Sequence, residues 1–137
     1  MKFLFDASSM LEAIRSFEEE KVLRVFRENC ILDLTKYEVG NALWKEYILH
    51  NAIREEEFRE FLDFFRSVLR LTKVVAVGAE SLLDVAETAA KEQITFYDAS
   101  YIAIARIQKL ILITEDRQLA KLALKYAKTA QIKDILS

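Results

Sequence analysis

The chain has 137 residues, 53% hydrophobic and 31% charged, a composition that can fill one core and excludes intrinsic disorder. Its net charge of −2 and sequence pI near 5.6 exclude nucleic-acid binding by bulk charge, though not by a local basic patch. Two Gly, one Cys (Cys30) and one His (His50) exclude a glycine-rich phosphate loop and an internal disulfide framework, and leave little for a dedicated zinc site.

Lys2–Phe5 is a short apolar run ending at Asp6, read as a first strand. Ser9–Arg15 and Glu18–Glu28 read as helices, and Cys30–Leu34 as a second strand. Thr35-x-x-Glu38 opens a long helix to about Asn51. Arg54–Leu71 carries Phe58, Phe61, Leu62, Phe65 and Leu69 along one helical stripe. The β-branched run Lys73–Val77 predicts a third strand, Ala79–Glu92 and Tyr97–Gln108 two helices. Leu110–Thr114 is continuously apolar, as a buried parallel strand requires. Asp116–Tyr126 is helical, and Lys128–Ile132 reads as a weak closing strand. This alternation predicts an α/β fold, a mostly parallel sheet of four to five strands with helices on both faces. No uncharged stretch exceeds seven residues (Tyr47–Ile53, Ala99–Ala105), where a membrane span needs about twenty apolar ones. Residues 1–137 are expected to form a single domain, and the lack of disulfides fits the cytoplasm.

In such folds ligands bind beyond the carboxyl ends of the strands. Asp6 follows the first strand, Asp116 the strand Leu110–Thr114; Asp98 starts a helix, and Glu38 lies in the first turn of the helix after the second strand. A parallel sheet would bring these four acids to one edge. Each also has a modest explanation as a helix cap: Asp6, Asp98 and Asp116 as N-caps, Glu38 as the capping-box partner of Thr35. Clustered carboxylates repel one another, and a hard divalent cation such as Mg²⁺ or Mn²⁺ relieves that repulsion. The chemistry associated with this arrangement is in-line displacement at phosphorus.

Four segments carry a resemblance: Phe5-Asp6-Ala7-Ser8-Ser9, Tyr37-Glu38-Val39-Gly40-Asn41-Ala42-Leu43, Phe96-Tyr97-Asp98-Ala99-Ser100-Tyr101 with the following Ile102–Ala105, and Leu112-Ile113-Thr114-Glu115-Asp116-Arg117. In order and spacing the sequence resembles the PIN domain, and its size resembles the VapC-type ribonuclease toxins of prokaryotic toxin–antitoxin pairs. The resemblance implies a three-layer α/β/α sandwich and an endoribonuclease dependent on Mg²⁺ or Mn²⁺. It places Asp6, Glu38, Asp98 and Asp116 in the metal site, Ser8 and Thr114 as hydroxyls beside it, and Asn41 as a polar neighbour one turn beyond Glu38. It further implies a cognate antitoxin and a homodimer. Asp33 and Glu115 are extra acids nearby, Glu115 being read either as an assistant to the metal or, preferentially, as a solvated first-turn residue.

Arg117, Lys121, Lys125 and Lys128, spaced 4, 4 and 3, stack along one face of the helix opened by Asp116, either as an RNA-backbone rail or as an ordinary solvated basic face. Trp44 and Phe64 exceed what one core stripe needs and are candidate partner contacts. His50 reads as a surface residue and Cys30 as a buried small hydrophobe. Two other functions are open to such a chain: a PIN-fold RNA- or protein-binding module without catalysis, and a Mg²⁺-binding phosphoacceptor domain. The second needs an acidic pair after the first strand, where Asp6 is followed by Ala7 and Ser8.

Overall fold

The computed structural model describes residues 1–136. Its elements follow in the order β1 (Phe3–Phe5), α1 (Ala7–Ser16), α2 (Glu19–Phe26), β2 (Cys30–Leu32), α3 (Asp33–Trp44), α4 (Glu55–Leu71), β3 (Lys73–Val75), α5 (Leu82–Glu92), α6 (Phe96–Gln108), β4 (Ile111–Ile113), α7 (Arg117–Ala123), β5 (Thr129–Ala130) and α8 (Ile132–Leu136). The five strands pair in the order β3-β2-β1-β4-β5, every pairing parallel. All strands therefore end at one edge of the sheet, as the alternating sequence pattern predicts.

Successive residues of a strand point to opposite faces, and this sorts the core into two layers. Phe5, Ile31 and Ile113 meet Met10 and Ala13 of α1, Phe26 of α2, Val39 and Leu43 of α3, and Phe65 and Val68 of α4. Leu4, Cys30, Leu32 and Leu112 face the other way, against Ile102 and Ile104 of α6 and Leu119 and Ala123 of α7. The α/β/α sandwich is thus written in the residue-by-residue alternation of strands only two or three residues long.

Several boundaries differ from the sequence expectation. Leu34 belongs to α3 rather than β2, so Thr35 is its third residue rather than its cap. The Thr35 hydroxyl accepts the Leu32 N–H at 3.2 Å, and no capping box joins Thr35 to Glu38. After Trp44 the helix widens into a π turn over Lys45–Leu49, closed by His50 N–H donating to the Lys45 carbonyl at 2.9 Å. The widening shifts the helical phase: the Tyr47 ring stacks on Phe58 of α4 at 4.7 Å, while Ile48 and Leu49 are left exposed. Helix α7 stops at Ala123, before Lys125 and Lys128. The weak closing strand shrinks to Thr129–Ala130, and Ile132 begins a short helix the sequence did not suggest.

With so few glycines, four other residues take the left-handed conformation: Glu28, Asn51, Gln93 and Lys109. Gln93 and Lys109 end α5 and α6, where glycine is the usual occupant. Cys30 is fully buried, and burial pushes its thiol up to about 11. Among the described residues no helix is long and apolar enough to cross a membrane.

Candidate functional site

Asp6 leaves β1 and caps α1. Its Oδ1 accepts from the Ser9 N–H at 2.9 Å and from the Ser8 hydroxyl at 2.7 Å, while Oδ2 accepts from the Thr114 hydroxyl. Each hydroxyl has one proton, already given to Asp6, so each is free to accept. Ser8 Oγ takes the Glu115 N–H at 2.9 Å and Thr114 Oγ1 the Asp116 N–H at 3.0 Å. The end of β1 is thereby stitched to the end of β4 through one carboxylate. Asp6 is 5% exposed, and burial raises its pKa despite the hydrogen bonds from Thr114, Ser9 and Ser8, which pull the other way.

Glu38 lies in the second turn of α3, one turn further in than the sequence suggested. Its Oε1 accepts from the Tyr101 hydroxyl of α6 at 2.6 Å. Tyr101 Oη is also 2.8 Å from Thr35 Oγ1. The phenol has a single proton and gives it to Glu38, so Thr35 donates to Tyr101. A directed chain results: Leu32 N–H to Thr35, Thr35 O–H to Tyr101, Tyr101 O–H to Glu38. Burial raises the Glu38 pKa, the Tyr101 bond opposes this, and the charges of Asp6 and Asp98 raise it further.

Asp98 is the third residue of α6. Its N–H donates to the Thr95 hydroxyl at 3.1 Å, so Thr95 is the cap and Asp98 is not. Its carboxylate, half-buried, accepts no hydrogen bond among the described residues. Burial and the charge of Asp116 raise its pKa. Asp116 caps α7, with Oδ1 accepting from Gln118 N–H at 3.0 Å and Leu119 N–H at 3.1 Å.

Parallel β1 and β4 set Asp6 and Asp116 at one sheet edge, joined through Thr114, and the charges of Asp6 and Asp98 act on Glu38 as that of Asp116 acts on Asp98. Among the described residues none of the four has a Lys or Arg partner. Nor do any three Asp, Glu, His or Cys side chains close tightly enough to enclose an ion as they stand. Capping and convergence are not exclusive here: Asp6 and Asp116 cap helices and still belong to the acidic edge.

Other sequence candidates fall differently. Asn41 is exposed, one turn beyond Glu38. Arg117 and Lys121 lie exposed on α7, but Lys125 lies past its end and pairs with Glu92 at 3.0 Å, and Lys128 leads into β5. The four-residue rail is therefore corrected to two residues on the helix. Trp44 is exposed, whereas Phe64 is 9% exposed in the core between α2 and α4, which removes it from any docking face. Glu115 is not a solvated acid: its Oε2 accepts the Ile132 N–H at 2.8 Å and anchors α8. Asp33 pairs with Lys36. Tyr101 and Thr35 were not singled out for the site by sequence reasoning, although Asp98-x-x-Tyr101 was visible as a motif.

The PIN domain model matches residues 3–125. Ribonuclease VapC3 of Pyrobaculum aerophilum is 36% identical over 125 residues, covering 88% of this chain and 94% of the relative. Exonuclease VapC9 of the same organism is 34% identical over 119 residues, covering 87% and 84%. The crystal structure of PAE2754 from P. aerophilum superposes with a TM-score of 0.82 at 32% identity, covering 99% of this chain and 87% of that one. VapBC2 from Rickettsia felis, solved bound to a DNA fragment from its promoter, shares the fold at a TM-score of 0.65 and 13% identity, over 96% of this chain and 98% of that one.

Proposed function

Since the chain belongs to the PIN domain family, we propose that it hydrolyses RNA phosphodiester bonds at the edge formed by Asp6, Glu38, Asp98 and Asp116. The observation that carries this reading is the run of four neighbouring carboxylates, three of them raised in pKa, with no cationic partner among the described residues. Helix capping alone leaves that repulsion uncompensated.

The donor set fits Mg²⁺ or Mn²⁺: every available ligand atom is a carboxylate oxygen, and Mg²⁺ retains several waters, so a loose row of acids suffices. Asp6, Glu38 and Asp98 would hold one ion; Asp116, with Oδ2 free of the helix cap, would hold a second or orient the attacking water. When bound, the ion polarises a phosphoryl oxygen and lowers the pKa of water. Ser8 and Thr114 fix the Asp6 carboxylate, and Tyr101 fixes that of Glu38. Arg117 and Lys121 lie beyond Asp116 on α7, where phosphates of a bound strand would meet them. Asn41 stands exposed one turn past Glu38, open to the same strand.

The proposed biological role is the toxin of a toxin–antitoxin pair, acting in the cytoplasm as a homodimer. A strip of exposed Tyr37, Trp44 and Ile48, spaced 7 and 4 along α3 and the π turn, supplies the face for the antitoxin.

The test is cleavage of end-labelled and circular RNA with Mg²⁺, Mn²⁺ or EDTA, for the native protein and Asp98→Asn. Chelation should abolish cleavage and the substitution should slow it at least ~10²-fold, the scale for losing one preorganised group. Cleavage of circular RNA marks an endonuclease; cleavage of linear RNA alone marks an exonuclease, as one relative is named. Cleavage that survives EDTA, or a fully active Asp98→Asn protein, refutes the proposal. Metal-dependent RNA binding without cleavage would favour the non-catalytic module.

A further inference from the structure

The opposite edge of the sheet carries a second built feature. A cleft of about 440 Å³ opens where β1 and β4 begin, within the size range of small-molecule sites. Ala105, Leu110, Ile111 and Ala127 form an apolar floor, and the Tyr126 ring lines it. Around the rim stand Lys2, Arg106, Lys109 and Lys128.

These cations come from three separate elements. Lys2 precedes β1, Arg106 and Lys109 end α6, and Lys128 precedes β5. Backbone hydrogen bonds hold them in register: Ile111 N–H to the Lys2 carbonyl at 2.9 Å, Leu112 N–H to the Lys128 carbonyl at 2.9 Å, and Lys109 N–H to the Arg106 carbonyl at 3.3 Å. The nearby acids are already engaged. Asp84 pairs with Arg106 at 3.5 Å, and Glu92 accepts from Tyr126 and pairs with Lys125 at 3.0 Å. Lys2, Lys109 and Lys128 have no acidic partner among the described residues, and the Lys2 ammonium stands over the Phe3 ring at 5.3 Å. Compensation of the α6 dipole accounts for Arg106 and Lys109 at a helix C-terminus, but not for Lys2 and Lys128 at strand starts.

We propose that this cleft binds a nucleoside phosphate, either a free nucleotide or one unit of an RNA strand. Its aromatic wall and apolar floor receive a base, and the two free lysines, Lys109 and Lys128, receive the phosphate. The site is separate from the acidic edge: Lys2 and Asp6 are four strand residues apart, about 13 Å.

Isothermal titration in EDTA keeps the acidic edge free of cations, so the outcome does not depend on nuclease activity. The probes are 5′-AMP, adenosine and inorganic phosphate, against native protein and the variant Lys109→Ser with Lys128→Ser. These lysines are exposed, and equal melting temperatures verify that the variant folds. One 5′-AMP should bind per chain, at least ~10-fold tighter than either fragment and at least ~10-fold tighter than to the variant, with affinity falling as salt rises. A short RNA oligonucleotide that displaces 5′-AMP identifies the ligand as a strand segment; one that does not identifies it as a free nucleotide. Absence of saturable 5′-AMP binding, or equal affinity for native protein and variant, overturns the proposal.

Discussion

Replacing Tyr101 with Phe removes one oxygen from the chain that runs from the Leu32 backbone to Glu38. Tyr101 is 2% exposed, and its ring should keep its packing in α6. Two bonds are lost. The one to Glu38, 2.6 Å long, is charge-assisted when Glu38 is ionised and contributes about 1.5–3 kcal/mol; the one from Thr35, 2.8 Å long, is neutral and contributes about 0.5–1.5 kcal/mol. The expected loss at pH 7.5 is about 2–4.5 kcal/mol. The folded-state pKa of Glu38 is raised above its unfolded value, and the Tyr101 bond is what restrains it, so Phe lets it rise further. The variant's native state then holds a proton over a pH window where the native protein's does not. The stability difference grows as pH rises through that window and is complete above it, by about 1.4 kcal/mol per unit of extra shift. Below it both proteins carry neutral Glu38, and the loss shrinks to that of neutral bonds. Urea titrations at pH 4 and 7.5, read from the fluorescence of the single Trp44, measure both. A loss that is equal at the two pH values would refute the directed chain.

In EDTA at neutral pH, Asp98→Asn should melt above the native protein, because the substitution removes a carboxylate raised by burial and by Asp116. The gain should shrink as pH falls below the folded pKa, and Mg²⁺ should stabilise the native protein more than the variant; identical melting curves in both conditions would refute convergence. Gln93→Gly should stabilise by about 0.5–1 kcal/mol, since Gln93 holds φ 56° at the end of α5; a lower denaturation midpoint would refute the strain argument.

The sheet was legible because β1, β2 and β4 are apolar triplets and β3 carries two valines, all set between longer helical runs, and parallel pairing follows from the alternation. The acids were legible for the same reason, since three of them sit where a strand ends or a helix begins. What escaped depends on contacts between distant residues. Tyr101 acts on Glu38, 63 residues earlier, and is itself held by Thr35, 66 residues earlier; no local spacing encodes either pair. Helix α8 has five residues, and besides the local Asp134 carboxylate, which accepts the Gln131 N–H at 2.8 Å, its start depends on Glu115, 17 residues back, a contact no local spacing encodes. The basic rail failed because lysine spacing continued through a turn where the helix did not. Phe64 looked surplus beside the Phe58–Leu69 stripe and was read as a partner contact, whereas α2 packs against that second apolar face of α4.

Asp6 and Asp98 are both acids of the same edge, but the fold depends on them unequally. Asp6 caps a helix, ties β1 to β4 and receives two hydroxyls; the Asp98 carboxylate holds up nothing among the described residues. Mutational drift meets these positions with different resistance. On the proposed function, a lineage that gave up hydrolysis would shed Asp98 early, at no structural loss, and keep Asp6 for the sake of its scaffold. An intact Asp6 in a related chain therefore testifies to folding, and an intact Asp98 testifies to use.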